Sequence, residues 1–201
     1  MTASAASTIR SLVDLTAIID APDERHRTHV DLFYPGTRLP DETLITRCVL
    51  LDVSCSPEKV DLAALPALHA VEKGCSVILK TGWERHRGTP AYDKSPSIDK
   101  ALIERLVAQG AALILVDSPG VCGGATGPEH CAMDKYLADN KAHAVENLVN
   151  LDMITAATFA LYCFPIYAMR TNAAPCRILA DMGTRIQTLS GMPHTDACEP
   201  M

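Results

Sequence analysis

Four short stretches of this chain carry residue types capable of chemistry. HRTHVD, residues 26–31, brings His26, His29 and Asp31 together, and imidazole plus carboxylate is the donor set that borderline divalent metals take. On a strand, His29 and Asp31 are two positions apart and share a face, as two ligands of one ion must, whereas His26 faces the other way unless a turn swings it in. The commoner role of a His-x-Asp pair is a solvated polar face. His130 follows the loop GVCGGATGPE, where it either caps a helix or serves as a ligand. Glu146 lies in AVENLVNL, between apolar neighbours that would bury it, and a buried carboxylate must be protonated, paired or metal-bound. Asp117 in LVDSPG ends an apolar run, at the strand end where α/β folds commonly place functional side chains. Trp83 closes a TGW, and a lone Trp at a strand end usually belongs to a core.

The elements that must position these residues follow from periodicity. SLVDLTAIID is either strand or short helix, and PGTRLPDET is a loop. RCVLLDV (47–53), CSVILKTGW (75–83) and AALILVDSPG are apolar runs of buried-strand type. SPEKVDLAALPALHAVEKG is expected to be one kinked helix or two short ones, because Pro66 interrupts it, with Ser56 as N-cap and Gly74 as stop. SPSIDKALIERLVAQG places Ile98, Leu102, Ile103, Leu106 and Val107 at helical spacing and stops at Gly110. EHCAMDKYLADN reads as a short helix, AHAVENLVNLDMI as a strand and turn, and ATFALYCFPIYAM as a strand or strand pair broken near Pro165. RILADM (177–182) is the last strand, and residues 190–201 a frayed tail. The order strand, helix, strand predicts parallel pairing through a crossover. The fold class is therefore α/β: one domain over residues 1–201, with a mixed central or barrel-like sheet, flanking helices, and more strands than helices.

Composition narrows the function classes. A chain of 201 residues, 48% hydrophobic, supports one well-filled core. A net charge of -6 with scattered Lys and Arg lacks the basic stripe that nucleic acid requires. No run approaches the length of a membrane span and no signal peptide is evident, so a cytoplasmic protein with neither a nucleic-acid nor a membrane partner is expected. The eight cysteines form no C-x-x-C pair and read mostly as small buried hydrophobes.

Taken in order, RSLVDLT, ILKTGWERHRGTPAY, LVAQGAALILVDSPGV, His130 followed by AVENLVNLD, and FPIYAMRTNAAPCRILA resemble the cyclase family of metal-dependent hydrolases, which includes kynurenine formamidases and isatin hydrolases. The resemblance implies the swivelling β/β/α fold and a divalent zinc or manganese site. Its implied metal ligands are His29, Asp31, His130 and Glu146, with Asp31 bridging where two ions bind, and Trp83 is the candidate for contact with substrate. The family motif runs His, three residues, His, one residue, Asp, three residues, His. Here Thr28, His29 and Asp31 match it, but its first His falls on Arg25, its Gly on Arg27, its Pro on Phe33 and its third His on Pro35. The segment between Thr16 and Arg25 is also shorter than in the family. A site so reduced implies one ion rather than two, and leaves His143 as the candidate imidazole to replace the lost proton shuttle. The implied activity is hydrolysis of a small-molecule formamide or cyclic amide, foremost N-formylkynurenine to kynurenine and formate in tryptophan catabolism, by a homodimer or higher homo-oligomer. The alternative is a member that has lost catalysis and persists as a binding or oligomeric scaffold.

Overall fold

The computed structural model describes residues 12–17, 27–124, 127–167 and 172–183. Its strands are β1 (Leu12–Asp14), β2 (His29–Asp31), β3 (Ile45–Asp52), β4 (Ser76–Lys80), β5 (Leu113–Val116), β6 (His143–Glu146), β7 (Thr158–Pro165) and β8 (Ala173–Asp181). The α-helices among the described residues are α1 (Lys100–Ala108) and α2 (Pro128–Asp139).

The apolar runs β3, β4 and β5 pair in parallel with one another and then with β6, as the strand, helix, strand order requires. The remaining pairings, β6 with β2, β2 with β8, β8 with β7 and β7 with β3, are antiparallel. The pairing of β7 with β8 closes seven strands into a barrel-like sheet, and β1 extends the edge of β8 beyond β2. Closure removes the exposed edges that an open sheet would carry.

Alternation then sorts the side chains into two cores. Val30, Cys48, Ile78, Leu113, Leu115, Val145, Leu161 and Ile178 fill the inside. Val49, Leu51, Val77, Leu79, Ile114, Val116 and Ala144 face outward and pack with Leu102, Ile103 and Leu106 of α1 and Leu137 of α2. Strands buried on both faces need unbroken apolar sequence, which is why β3 to β5 read as continuous runs. Burying a Leu or Ile side chain contributes roughly 1.5–3 kcal/mol, so these two layers dominate stability.

α1 forms where the helical spacing places it, with the Asp99 side chain accepting from the Ala101 N–H and Gly110 at φ +81° past its end. Over SPEKVDLAALPALHAVEKG no α-helix forms, and of the two expectations the pair of short pieces broken at Pro66 is the nearer. That segment contains two 3-10 turns, Leu62–Ala64 and Pro66–Ala70, and no cap at Ser56. Asp61 caps the first turn, and Pro66, which has no N–H, starts the second rather than continuing an α-helix. β4 stops at Lys80, short of the TGW, because Gly82 adopts φ +70° and opens a 3-10 turn, Trp83–His86. β8 begins at Ala173, earlier than expected, because Pro175 and its neighbours pair with β2. The tail expected over 190–201 and both Arg25 and His26 lie outside the described residues.

Candidate metal centre

The centre begins with one strand register. β2 lies antiparallel to β6 with His29 directly opposite Glu146, so their side chains are cross-strand neighbours on one face. Val30 and Val145 point into the barrel, which turns His29, Asp31 and Glu146 outward toward α2. Helix α2, entered at Pro128, supplies His130 and Asp134, one helical turn apart on the same face.

The structure thus brings together all four ligand candidates. The ligand atoms of His29, Asp31 and Glu146 lie within 4.8 Å of one another, and so do those of Asp31, His130 and Asp134. The two groups share Asp31. His29 Nε2 is 3.4 Å from Asp31 Oδ1 and 3.6 Å from Glu146 Oε2. His130 Nε2 is 3.4 Å from Asp134 Oδ2 and 3.8 Å from Glu146 Oε1. Asp134 is the residue that reading the sequence missed, although its spacing of four from His130 within a helical segment was a usable signal.

Electrostatics make the cluster costly without a cation. Asp31 Oδ2, His130 Nδ1, Asp134 Oδ1 and Glu146 Oε1 are buried and lack hydrogen-bond partners. Burial raises the Glu146 pKa well above its ordinary value, and the Asp31 and Asp134 carboxylates raise it further. Burial, then Asp31, pushes Asp134 up to about 7. At His29 burial acts downward, but the Asp31 carboxylate outweighs it and the imidazole is held above its usual range. Carboxylates and imidazoles with orphaned, converging lone pairs fit a divalent cation.

The surroundings fix this geometry. His29 Nδ1 is 2.8 Å from the Arg27 carbonyl, which can only accept, so Nδ1 carries the proton and Nε2 faces the cluster with its lone pair. The Asn147 side-chain amide donates to the same carbonyl at 3.3 Å, and the Asn147 side-chain oxygen accepts from the Tyr92 hydroxyl at 3.0 Å. Asn147 sits at φ +64°, a left-handed conformation that Asn tolerates better than most residues. The Thr28 hydroxyl donates to the Asn147 carbonyl, tying β2 to the end of β6. Gly120 lies against the His130 ring: a Cβ there would stand 3.0 Å from Nδ1 and 3.4 Å from Glu146 Oε1.

Other candidates lie elsewhere. Trp83 donates its indole N–H to the Tyr92 carbonyl and stacks at a tilt on His86, and it is not among the residues of the cluster. Asp117 accepts from the Thr81 N–H and hydroxyl, clasping the ends of β5 and β4. His143 is not available as a proton shuttle. Strand alternation puts it on the face of β6 opposite Glu146, with Nδ1 3.1 Å from the Asp31 carbonyl. Pro35, at the position of the motif's third His, lies in an exposed turn.

Comparison with known proteins agrees with this architecture. The chain is similar to an isatin hydrolase bound to the product analogue thioisatinate, with 19% identity and a TM-score of 0.70 over 86% of this chain and 92% of that one. Isatin hydrolase A from Ralstonia solanacearum gives 17% identity and a TM-score of 0.70 over 86% and 92%. A "potential metal-dependent hydrolase with cyclase activity" gives 17% and 0.68 over 86% and 98%. No curated protein matches the sequence. Likeness at this identity shows a shared fold. The sequence itself matches the family described as "Putative cyclase" over residues 13–121, more than half of the chain and inclusive of the β2 ligand pair. By that match the chain belongs to the cyclase family.

Proposed function

We propose that this protein is a divalent-metal-dependent hydrolase acting on a formamide or cyclic amide, with N-formylkynurenine as the first substrate to test. The observation that carries the reading is the convergence of His29, Asp31, His130, Asp134 and Glu146 with four buried polar atoms left without partners. A divalent zinc or manganese ion held there would supply Lewis-acid polarisation of a carbonyl and a water made acidic enough to deprotonate near pH 7. His29, Asp31, His130 and Glu146 are the residues that would hold it.

The chain's own groups account for positioning. Arg27 and Asn147 hold the His29 tautomer, Gly120 gives the His130 ring room, and Glu146 is buried from water. The likeness to isatin hydrolases supports a cyclic amide as a second substrate class.

A second reading is favoured by Pro35 and Arg27, which occupy positions where the resembling motif has a His and a Gly. On that reading the protein binds metal and a ligand but does not turn it over. Hydrolysis assays with N-formylkynurenine and isatin on metal-loaded protein, beside Glu146→Ala, separate the two. Turnover that is lost in Glu146→Ala supports the hydrolase. Metal retention with no turnover supports the scaffold.

A further inference from the structure

We propose that the mouth of the barrel, where β3, β4 and β5 end, binds a small organic cation, a protonated amine, drawn by the carboxylates of Asp52, Glu84, Asp117 and Asp152. This pocket shares no residue with the metal cluster, and the inference stands whether or not that cluster holds an ion.

Strand register builds the pocket. Asp52 ends β3, Lys80 ends β4, and the two are register partners. Leu79 lies opposite Val116, so one step further Lys80 stands beside Asp117, just past the end of β5. Alternation puts this row on the same face as Leu50, Ile78 and Leu115, which belong to the inner core, whereas Glu146 faces outward to α2. The charged row therefore closes the inside of the barrel, on the opposite face of the sheet from the metal cluster. The cavity it lines measures about 430 Å³, in the range of small-molecule pockets and many times the roughly 30 Å³ share of one water. Barrel mouths are common places for such ligands.

The charge in this cavity is unbalanced. Four carboxylates line it against two cations, Lys80 and Arg85. The Lys80 ammonium is hydrogen-bonded to Asp152, whose side chain is exposed at the rim, and so does not serve Asp117. Asp117 is fully buried; its Oδ1 accepts from the Thr81 N–H and hydroxyl, and its Oδ2 has no hydrogen-bond partner. A buried carboxylate oxygen left without a donor is costly. Burial raises the Glu84 pKa and the Asp117 and Asp152 charges add to it, as an excess of negative charge requires. A divalent ion would meet the Lys80 ammonium at double charge and leave most of the volume empty. A protonated amine on a carbon chain supplies a single positive charge, N–H donors and bulk together.

The test uses the full chain as purified, isotope-labelled for NMR, and titrates it with butylamine and with its neutral and anionic counterparts, butanol and butyrate. The expected result is saturable binding of butylamine, with amide shifts at Asp52, Gly82 and Asn150, and much weaker binding of the other two. Asp117→Asn should weaken butylamine by about tenfold or more, the worth of one charge-assisted contact. Asn keeps an oxygen to accept from Thr81, so the clasp between β4 and β5 is retained. Glu84→Gln, which leaves that clasp untouched, should also weaken butylamine, and it decides alone if Asp117→Asn melts far below wild type. The site is overturned by absence of saturable butylamine binding, by equal binding of all three probes, or by unchanged affinity in both variants. Shifts of the same amides by Ca²⁺ but not by butylamine would assign the pocket to a metal ion and overturn it as well.

Discussion

At the scale of single residues, the centre depends on groups whose burial is tolerable only with partners. Glu146→Ala is expected to abolish metal retention, whereas Cys131→Ala, on the exposed side of α2, should leave it unchanged; elemental analysis of both variants checks this. Asn147 touches no ligand atom but supports the carbonyl that orients His29, so Asn147→Ala should weaken metal affinity by roughly 10–100-fold, read by competition with a chelating dye. Protonation gives a further prediction. The folded protein raises Asp134 to about 7 and raises Glu146 and His29, so these groups bind protons more tightly folded than unfolded. Their stabilisation is present at low pH and is lost as pH rises through the folded values. His143, lowered by burial, acts oppositely as pH falls through its ordinary range. The melting temperature of chelator-treated protein should therefore fall between about pH 6.5 and 8, and added Mn²⁺ should flatten that slope.

At the scale of elements, three pieces must hold register for the centre to exist. Because the side-chain period of a strand is two, a slip of one residue between β2 and β6 would send His29 and Asp31 into the barrel and Val30 out. The turn after β5 brings Gly120 against His130, where no larger residue fits without moving the ring. Gly120→Ala is expected to cost about 1–3 kcal/mol in overpacking and to lower metal affinity, measured by denaturant melts and metal titration of the same sample. The helix legible at 98–110 formed because an apolar stripe and a cap agreed. Over 57–74 the chain forms two short 3-10 helices rather than one kinked α-helix, because Pro66 removes a donor where a continuous helix needs one.

At the scale of the whole molecule, α1 and α2 cover the outer faces of β3 to β6, whereas among the described residues β7 and β8 contribute their core side chains to the inner cluster. Ile45 and Phe164, in the β3–β7–β8 part of the barrel, and Leu12 on β1 remain exposed. Exposed apolar surface of this kind supports self-association. We propose a homo-oligomer, and light scattering after gel filtration should show Phe164→Glu shifting it toward monomer with secondary structure intact. Among the described residues no helix is long and apolar enough to cross a membrane.

By itself the sequence determined which segments are strands buried on both faces, which helix has a packing stripe, and which residues could ligate a metal, because these properties are local: periodicity, caps and donor chemistry are written within a few positions. The stretches RSLVDLT, ILKTGWERHRGTPAY, LVAQGAALILVDSPGV, AVENLVNLD and FPIYAMRTNAAPCRILA together also carried enough family resemblance to suggest the fold. Only the tertiary structure decided that β7 pairs with β8 to close the barrel, that His29 faces Glu146 across 117 positions of chain, and that Asp134 joins them. Those depend on strand register and on how α2 lies across the sheet, which local pattern does not encode. The burial that orphans Glu146 and Asp134, and so favours a proton or a cation there, arises only when distant segments enclose the same small volume.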